Sequence, residues 1–306
     1  MPTLTVVIPT FNEAKRLPQT LREIRPYLRD RFPQHEIIIV DDNSPDGTAA
    51  IAAEMAGEFP CLRVLIQPGR LGKGAALRRG CLDARGDYVL FMDADHATPI
   101  EELDDLHRQL RQLGSGAAAG VRTYQENEPR WRRIVGLCAQ LLAHLIVFRK
   151  AVVDSQCGFK LFTRDVVHRI FPFCRVNGGM IDVEIFSLLH ASEIPCRYCP
   201  VHWTNKAGSR IRVLRCMLFD PWDMLFIRLR HSLGVYRRPV APSQQPWNKG
   251  LSHHHAGSAA VSAASSGQDA RAPLVSGQDA RAPVLGYALR EDESSDGNIT
   301  CARTAG

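Results

Sequence analysis

Four short apolar runs narrow the folds open to this chain more than any other feature. They lie at Leu4–Ile8, Glu36–Val40, Arg63–Ile66 and Tyr88–Met92, are rich in Val and Ile, and close on Pro, Asp or Gly. Helical patterns separate them, at roughly Ala14–Tyr27, Thr48–Met55, Gly72–Ala84 and Ile100–Leu113. Hydrophobicity that is continuous rather than alternating marks strands buried on both faces. The expected fold class is therefore α/β, a mainly parallel central sheet with helices on both faces. In such sheets ligands bind beyond the carboxyl ends of the strands.

Composition divides the chain. Residues 239–306 are rich in Ser, Ala, Gly and Pro and repeat SGQDARAP at Ser266–Pro273 and Ser276–Pro283. Such a segment buries too little apolar surface to offset the entropy of ordering it, so it reads as a disordered tail after a single domain of residues 1–238. His253–His255 within it suit weak metal binding or no role at all. The tail holds 5 Lys/Arg against 6 Asp/Glu, so of the net charge of +6 the 33 Lys/Arg and 26 Asp/Glu of residues 1–238 carry +7. The aromatic residues do not interleave with the basic ones, so no nucleic-acid partner is expected. Nine cysteines without a framework spacing point to reduced thiols and a cytoplasmic setting. Leu4–Pro9 is too short for the apolar part of a secretory signal.

Three polar motifs follow strands: PTFNEA after the first, VDDNSPDGT after the second and DADHATP after the fourth. Asp93 and Asp95 alternate along an extended segment and so project to one side. Their hard oxygens suit Mg²⁺ or Mn²⁺, although the same spacing serves solvated turn acids. Gly69-Arg-Leu-Gly72-Lys73-Gly74 fails as a P-loop, because position 67 is Gln and Gly follows the lysine. The turn opens a helix, so Lys73 and the first N–H groups could meet phosphate; a plain loop-to-helix transition fits equally. Cys196 and Cys199 lie three apart on an expected strand at Pro195–Trp203, which sends them to opposite faces and argues against zinc.

The ordered set Pro9-Thr-Phe-Asn-Glu13, Val40-Asp-Asp-Asn-Ser-Pro-Asp-Gly47, Gly72-Lys-Gly74, Asp93-Ala-Asp95 and Gly120-Val-Arg122 resembles the family 2 glycosyltransferases with the GT-A nucleotide-sugar fold. Asp93-Ala-Asp-His-Ala-Thr98, Gln156-Cys-Gly-Phe-Lys-Leu-Phe-Thr-Arg164, Ile181-Asp-Val-Glu184 and Phe226-Ile-Arg-Leu-Arg230 are similar to the dolichyl-phosphate β-glucosyltransferase group, with the dolichyl-phosphate mannosyltransferases next. The resemblance covers roughly residues 3–236. It implies that Pro9, Phe11, Glu13, Val40 and Asp42 surround the nucleotide and that Asp93 and Asp95 hold Mg²⁺ or Mn²⁺ against its diphosphate, with Lys73 nearby. It also implies that Arg122, with Arg132 or Arg133, meets phosphate, and that Ser209 and Arg210 join the acceptor side under a lid that includes Trp203. The mannosyltransferases place Gln where this chain has Ala97, which favours UDP-glucose over GDP-mannose as donor.

The implied reaction is inverting, metal-dependent transfer of a hexose to a polyprenyl or dolichyl phosphate. A lipid phosphate is already anionic and needs no strong base; a hydroxyl acceptor would need one, and Asp182 or Glu184 would supply it. Those two acids also suit an ordinary helix start. Ile134–Phe148 is apolar with basic flanks, but as a helix its 15 residues span about 22 Å against a hydrocarbon core of roughly 30 Å. Arg212–Leu233 mixes Met217, Phe219, Trp222 and Phe226 with four arginines. Both read as interfacial amphipathic helices, or else as a core helix with an oligomer contact. The expected location is the cytoplasmic face of a membrane, bound peripherally, in an oligomeric state the sequence leaves open.

Overall fold

A computed structural model describes residues 3–123, 130–148, 154–204 and 213–236, with backbone alone for 123, 130–135 and 213–218. The repeat-bearing stretch 239–306, His253–His255, Ser209 and Arg210 lie outside the described residues, as do the side chains of Arg132 and Arg133.

The four apolar runs form β1 (Leu4–Thr10), β2 (His35–Asp41), β3 (Leu62–Ile66) and β4 (Tyr88–Met92), all parallel. Three further strands, β5 (Ala117–Thr123), β6 (Phe159–Thr163) and β7 (Cys196–His202), complete a seven-stranded sheet in the order β3-β2-β1-β4-β6-β5-β7. β6 runs antiparallel to both β4 and β5, while β7 pairs parallel with β5. This is the mainly parallel sheet expected. Its one reversed strand lies inside the sheet, between β4 and β5, and brings residues 157–159 up against the end of β4.

Strand alternation sorts the apolar side chains into two cores. Val7, Ile38, Val40, Val89 and Phe91 face α3 (Lys73–Asp83), α6 (Arg164–Ile170), α7 (Ile181–Ala191) and buried residues of α5 (Arg130–Ile146) and α8 (Val213–Ser232). Leu4, Val6, Ile8, Ile37, Ile39, Leu90 and Met92 face α1 (Leu17–Arg31), α2 (Thr48–Ala56) and α4 (Leu103–Leu113). β1, β2 and β4 are thus buried on both sides, which is why their hydrophobicity is continuous. Cys196 packs beside the first core and Cys199 belongs to the second, as their odd spacing requires.

The first helix departs from the expected bounds. It starts at Leu17, because Pro18 favours the first helical turn and residues 12–14 are held as a loop. In that loop Glu13 N donates to Thr48 Oγ1 and Ala14 N to Asp46. The helix then runs through Pro26, which lies on the exposed side, to Arg31. Similarly, Ile100–Glu102 form a 3₁₀ turn that leads into α4.

Candidate active site

The loops at the carboxyl ends of β1, β2 and β4 are fastened to one another by side chains rather than left open. Asp41 is fully buried and accepts from Ser44 N at 2.8 Å and Ser44 Oγ at 2.6 Å, while Asn12 N donates to Ser44 Oγ at 2.9 Å. Asp42 accepts from Leu71 N at 2.7 Å and Gly72 N at 2.8 Å, so both its oxygens hold the turn before α3. Of the residues expected around a nucleotide, Pro9 is half-buried at the end of β1 and Phe11 carries the Arg70 guanidinium 4.0 Å above its ring. Glu13 forms a two-point ion pair with Arg16. Val40 differs: its side chain is wholly inside the first core, so only its backbone could meet a ligand.

Gly72 and Gly74 owe their identity to packing. Gly72 adopts φ +106°, and a Cβ there would fall 2.3 Å from Asn177 O; at Gly74 it would fall 2.4 Å from Val176 O. Gly74 N in turn donates to Asn177 O at 2.8 Å. Between them Lys73 reaches the site and pairs with Asp93 Oδ1 at 2.8 Å. Desolvation alone would lower Lys73, but the charges of Asp93 and Asp182 outweigh it and hold the ammonium protonated beyond its ordinary range.

Asp93 follows β4 directly. Its N–H donates to Gly158 O at 3.2 Å, and its carboxylate lies flat against the backbone of that glycine. Asp95 accepts from Ala97 N at 3.1 Å, Ala97 O accepts from Thr204 N at 2.9 Å, and Thr20 Oγ1 donates to Ala94 O at 2.7 Å. His96, at φ +51°, locks the turn from outside. Ile100 N donates to its Nε2 at 3.2 Å, which leaves Nδ1 as the donor to Glu23 at 2.7 Å. Burial, then the neighbouring Asp93 charge, pushes the Asp95 carboxyl above its usual range. β4 ends at Met92 and Ala94–Asp95 form a turn, so the two acids stand on a turn rather than on the extended segment expected. They are near enough for the charge of Asp93 to act on Asp95, and such a pair suits a hard divalent cation. Among the described residues no third His, Cys, Asp or Glu joins them, so such an ion would complete its shell with substrate oxygens and water.

A shallow cleft opens beside this turn, lined by Asp93, His96, Thr98, Gly158 and Trp203 among others. Arg122 stands at its edge, 5.5 Å from the Trp203 ring. Asp154 grips that guanidinium in two places, at 2.8 and 3.0 Å, and accepts Arg122 N at 3.1 Å. Burial would raise Asp154, but the Arg122 bonds and charge hold it below the ordinary carboxylate range.

The expectation of a general base at Asp182 or Glu184 needs correction. Asp182 is buried and pairs with Lys160 at 2.5 Å, beneath the floor of the site. Glu184 is fully buried and accepts from Arg175 N, from Val176 N at 2.8 Å and from Tyr236 Oη at 2.6 Å. Both acids are consumed by the fold: one neutralises a buried lysine, the other pins the 175–178 turn against Gly72 and Gly74. Lys160, Asp154, Gly158 and the Glu23–His96 pair were not anticipated. A lysine inside the apolar strand FKLFT was the available signal for a buried carboxylate partner.

A family model described as glycosyl transferase family 2 matches residues 5–171. The human dolichyl-phosphate β-glucosyltransferase is 34% identical over 250 residues, covering 76% of this chain and 77% of the relative. That of Saccharomyces cerevisiae is 31% identical, with 76% of each covered, and one from Trichomonas vaginalis is 34% identical over 68% of this chain and 66% of its own length. Among solved structures, mannosyl-3-phosphoglycerate synthase from Rubrobacter xylanophilus aligns with a TM-score of 0.56 at 24% identity, over 76% of this chain and 75% of its own. Glucosyl-3-phosphoglycerate synthase from Mycobacterium tuberculosis, solved with Mn²⁺, UDP-glucose and phosphoglyceric acid, aligns with a TM-score of 0.58 at 20% identity, over 74% and 79%. The last two share the fold. On sequence, the chain belongs to glycosyl transferase family 2, among the dolichyl-phosphate β-glucosyltransferases.

Proposed function

We propose that this glycosyltransferase moves glucose from UDP-glucose to a dolichyl or other polyprenyl phosphate, with inversion at the anomeric carbon, while bound peripherally to the cytoplasmic face of a membrane. The observation that carries the reading is the Lys73, Asp93 and Asp95 group at the strand ends, with Arg122 and Trp203 across the cleft. Phe11 and the loops tied by Asp41 and Asp42 form a rigid donor side. Asp93 and Asp95 would hold Mg²⁺ or Mn²⁺, which when bound supplies positive charge to the departing diphosphate. Lys73 adds a second cation on the same side, and the clamped Arg122 orients the acceptor phosphate without itself losing geometry.

A phosphate acceptor suits a site whose nearby acids are engaged elsewhere, since its oxygen is anionic before attack. Ala97 supports glucose over mannose. Its N–H serves Asp95 and its carbonyl holds Thr204, so the position is occupied by a buried spacer rather than by a further ligand. Arg132 and Arg133 in the first turn of α5, together with Ser209 and Arg210, remain the proposed acceptor contacts.

Membrane contact rests on two exposed apolar stripes. On α5, Leu137, Leu141 and Leu145 are 54%, 59% and 74% exposed; on α8, Phe219, Trp222 and Phe226 are 50–60% exposed. The two helices pack against each other, and no helix among the described residues is long and apolar enough to cross a membrane. Stripes of this kind, flanked by arginines on a basic body, suit an anionic lipid surface.

The test is incubation with radiolabelled UDP-glucose or GDP-mannose and a membrane lipid extract, followed by partition into organic solvent. Label from UDP-glucose should move into the organic phase. Label that stays in water with both donors would overturn the lipid acceptor, and transfer from GDP-mannose alone would overturn glucose.

A further inference from the structure

Asp93, one of the two proposed metal ligands, is also the ion-pair partner of Lys73. Lys73 Nζ lies 2.8 Å from Asp93 Oδ1, on the carboxylate that would also take a divalent cation. Both side chains are about one-third exposed, so the pair can open toward the cleft. Among the described residues, the other carboxylates near Lys73 are either engaged by the fold or part of the same proposed metal site. The charges of Asp182 and Asp95 act on it as well, but Asp182 is sealed away and already paired with Lys160, and Asp95 is the second carboxylate of the proposed metal site. Asp42, in the turn just before, spends both oxygens on backbone N–H groups.

We propose that Lys73 is a place-holding cation that couples metal to donor: it occupies Asp93 in the free protein and yields it only when a nucleoside diphosphate offers replacement oxygens. The inference rests on the metal role of Asp93 and Asp95 proposed above. A divalent ion that enters without a donor must strip Lys73 of its carboxylate and leave the ammonium facing like charge in a half-buried site. An ion that enters with the donor leaves Lys73 on a phosphate oxygen. Metal and nucleotide therefore tighten each other, by the same factor in both directions, because such coupling is reciprocal. Lys73 itself moves no proton; it changes partners.

The turn that carries Lys73 makes the exchange local. Gly72 and Gly74 press on the carbonyls of Asn177 and Val176, and Glu184 pins that segment through the N–H groups of Arg175 and Val176. The backbone is thus fixed on both sides of Lys73, and the side chain alone has freedom to swing.

The experiment measures Mn²⁺ binding to the full chain by electron paramagnetic resonance, with and without UDP, for the unaltered protein, Lys73→Met and Lys73→Arg. The unaltered protein should bind Mn²⁺ weakly alone and about tenfold or more tightly with UDP, in the usual range of such couplings. Lys73→Met should bind Mn²⁺ about tenfold more tightly without UDP, and UDP should then add little. Lys73→Arg, which keeps a cation beside Asp93, should restore the weak donor-free binding and shows that the effect follows charge rather than misfolding. Equal donor-free affinity in Lys73→Met and the unaltered protein, with UDP still tightening Mn²⁺, would overturn the place-holder while leaving the metal role intact. Absence of Mn²⁺ binding in all three proteins, with UDP present and folding confirmed by circular dichroism, would overturn both.

Discussion

Two lysine–aspartate pairs neighbour the ring of Phe91, with Lys73 5.0 Å and Lys160 5.5 Å from its centre, and they are chemically alike. Their surroundings are not. The Lys73–Asp93 side chains are 34% and 39% exposed, whereas Lys160 and Asp182 are 1% and 2% exposed, with Lys160 Nζ also on Cys157 O. An ion pair sealed from water cannot open without stranding a charge in a medium that solvates it poorly. A pair at the cleft can trade partners, because water and substrate compensate whichever group is released. Burial, rather than residue type, thus divides these four side chains into a foundation and a working part.

The sharpest way to break that division is Asp182→Asn. It leaves the Lys160 ammonium buried and without a counter-charge, and should cost about 3–5 kcal/mol of stability in urea unfolding. Replacing both partners together, Lys160→Met with Asp182→Leu, should recover most of that loss, since apolar groups of similar volume need no pairing. If Asp182→Asn unfolds at the same urea concentration as the unaltered protein, the sealed pair is not a foundation.

On the working side, Asp95→Asn should lower kcat/KM for glucosyl transfer about 10²–10³-fold, or 2.7–4 kcal/mol, with little change in the unfolding midpoint. Undiminished transfer would remove the metal role. Gly158→Ala should come next. A Cβ at 158 would fall 1.9 Å from Asp93 Oδ2, and the glycine does not need a left-handed φ, so space is its whole contribution. The methyl group should displace the Asp93 carboxylate and weaken Mn²⁺ binding in the presence of UDP about 10–100-fold, the range seen when the support of a metal ligand is removed. An unchanged Mn²⁺ affinity would show that the carboxylate can relocate freely.

The same division explains what could be read from sequence. β1–β4 and their polar ends were legible because each strand carries its own apolar run and each run ends in turn-forming residues. β5 was not, since AAAGVRT is built from residues that do not favour strands; pairing with β6 on one side and β7 on the other overrides its composition. Asp93, Asp95, Lys73 and Arg122 stand in recognisable motifs, so they could be named as a set. Asp182 and Glu184 stand in one as well, yet their roles depend on Lys160, Tyr236 and the 175–178 backbone, contacts that no local pattern encodes. Asp154 likewise meets Arg122 across 32 residues. Motifs revealed which acids gather at the site, while burial decided which of them are free.

The smallest expected effect tests burial at a third place, the apolar stripe of α8. Asp220 lies there beside Phe219 and Trp222. Burial, then the charge of Asp223, pushes its carboxyl up to about 6 from the ordinary 3.8. For an acid raised in the fold, the protonated form is the favoured one. Its contribution to stability is therefore complete below the unfolded pKa and is lost as pH rises through the folded one, a window from about pH 4 to 6. The site is partly open to solvent, so the discounted size is at most about 1 kcal/mol. Urea midpoints compared between the unaltered protein and Asp220→Asn should diverge across that window, the asparagine variant becoming the more stable of the two above pH 6. Curves that stay parallel from pH 4 to 7 would mean that Asp220 is solvated as an ordinary surface acid, and that this stretch of α8 is less sheltered than the floor beneath Phe91.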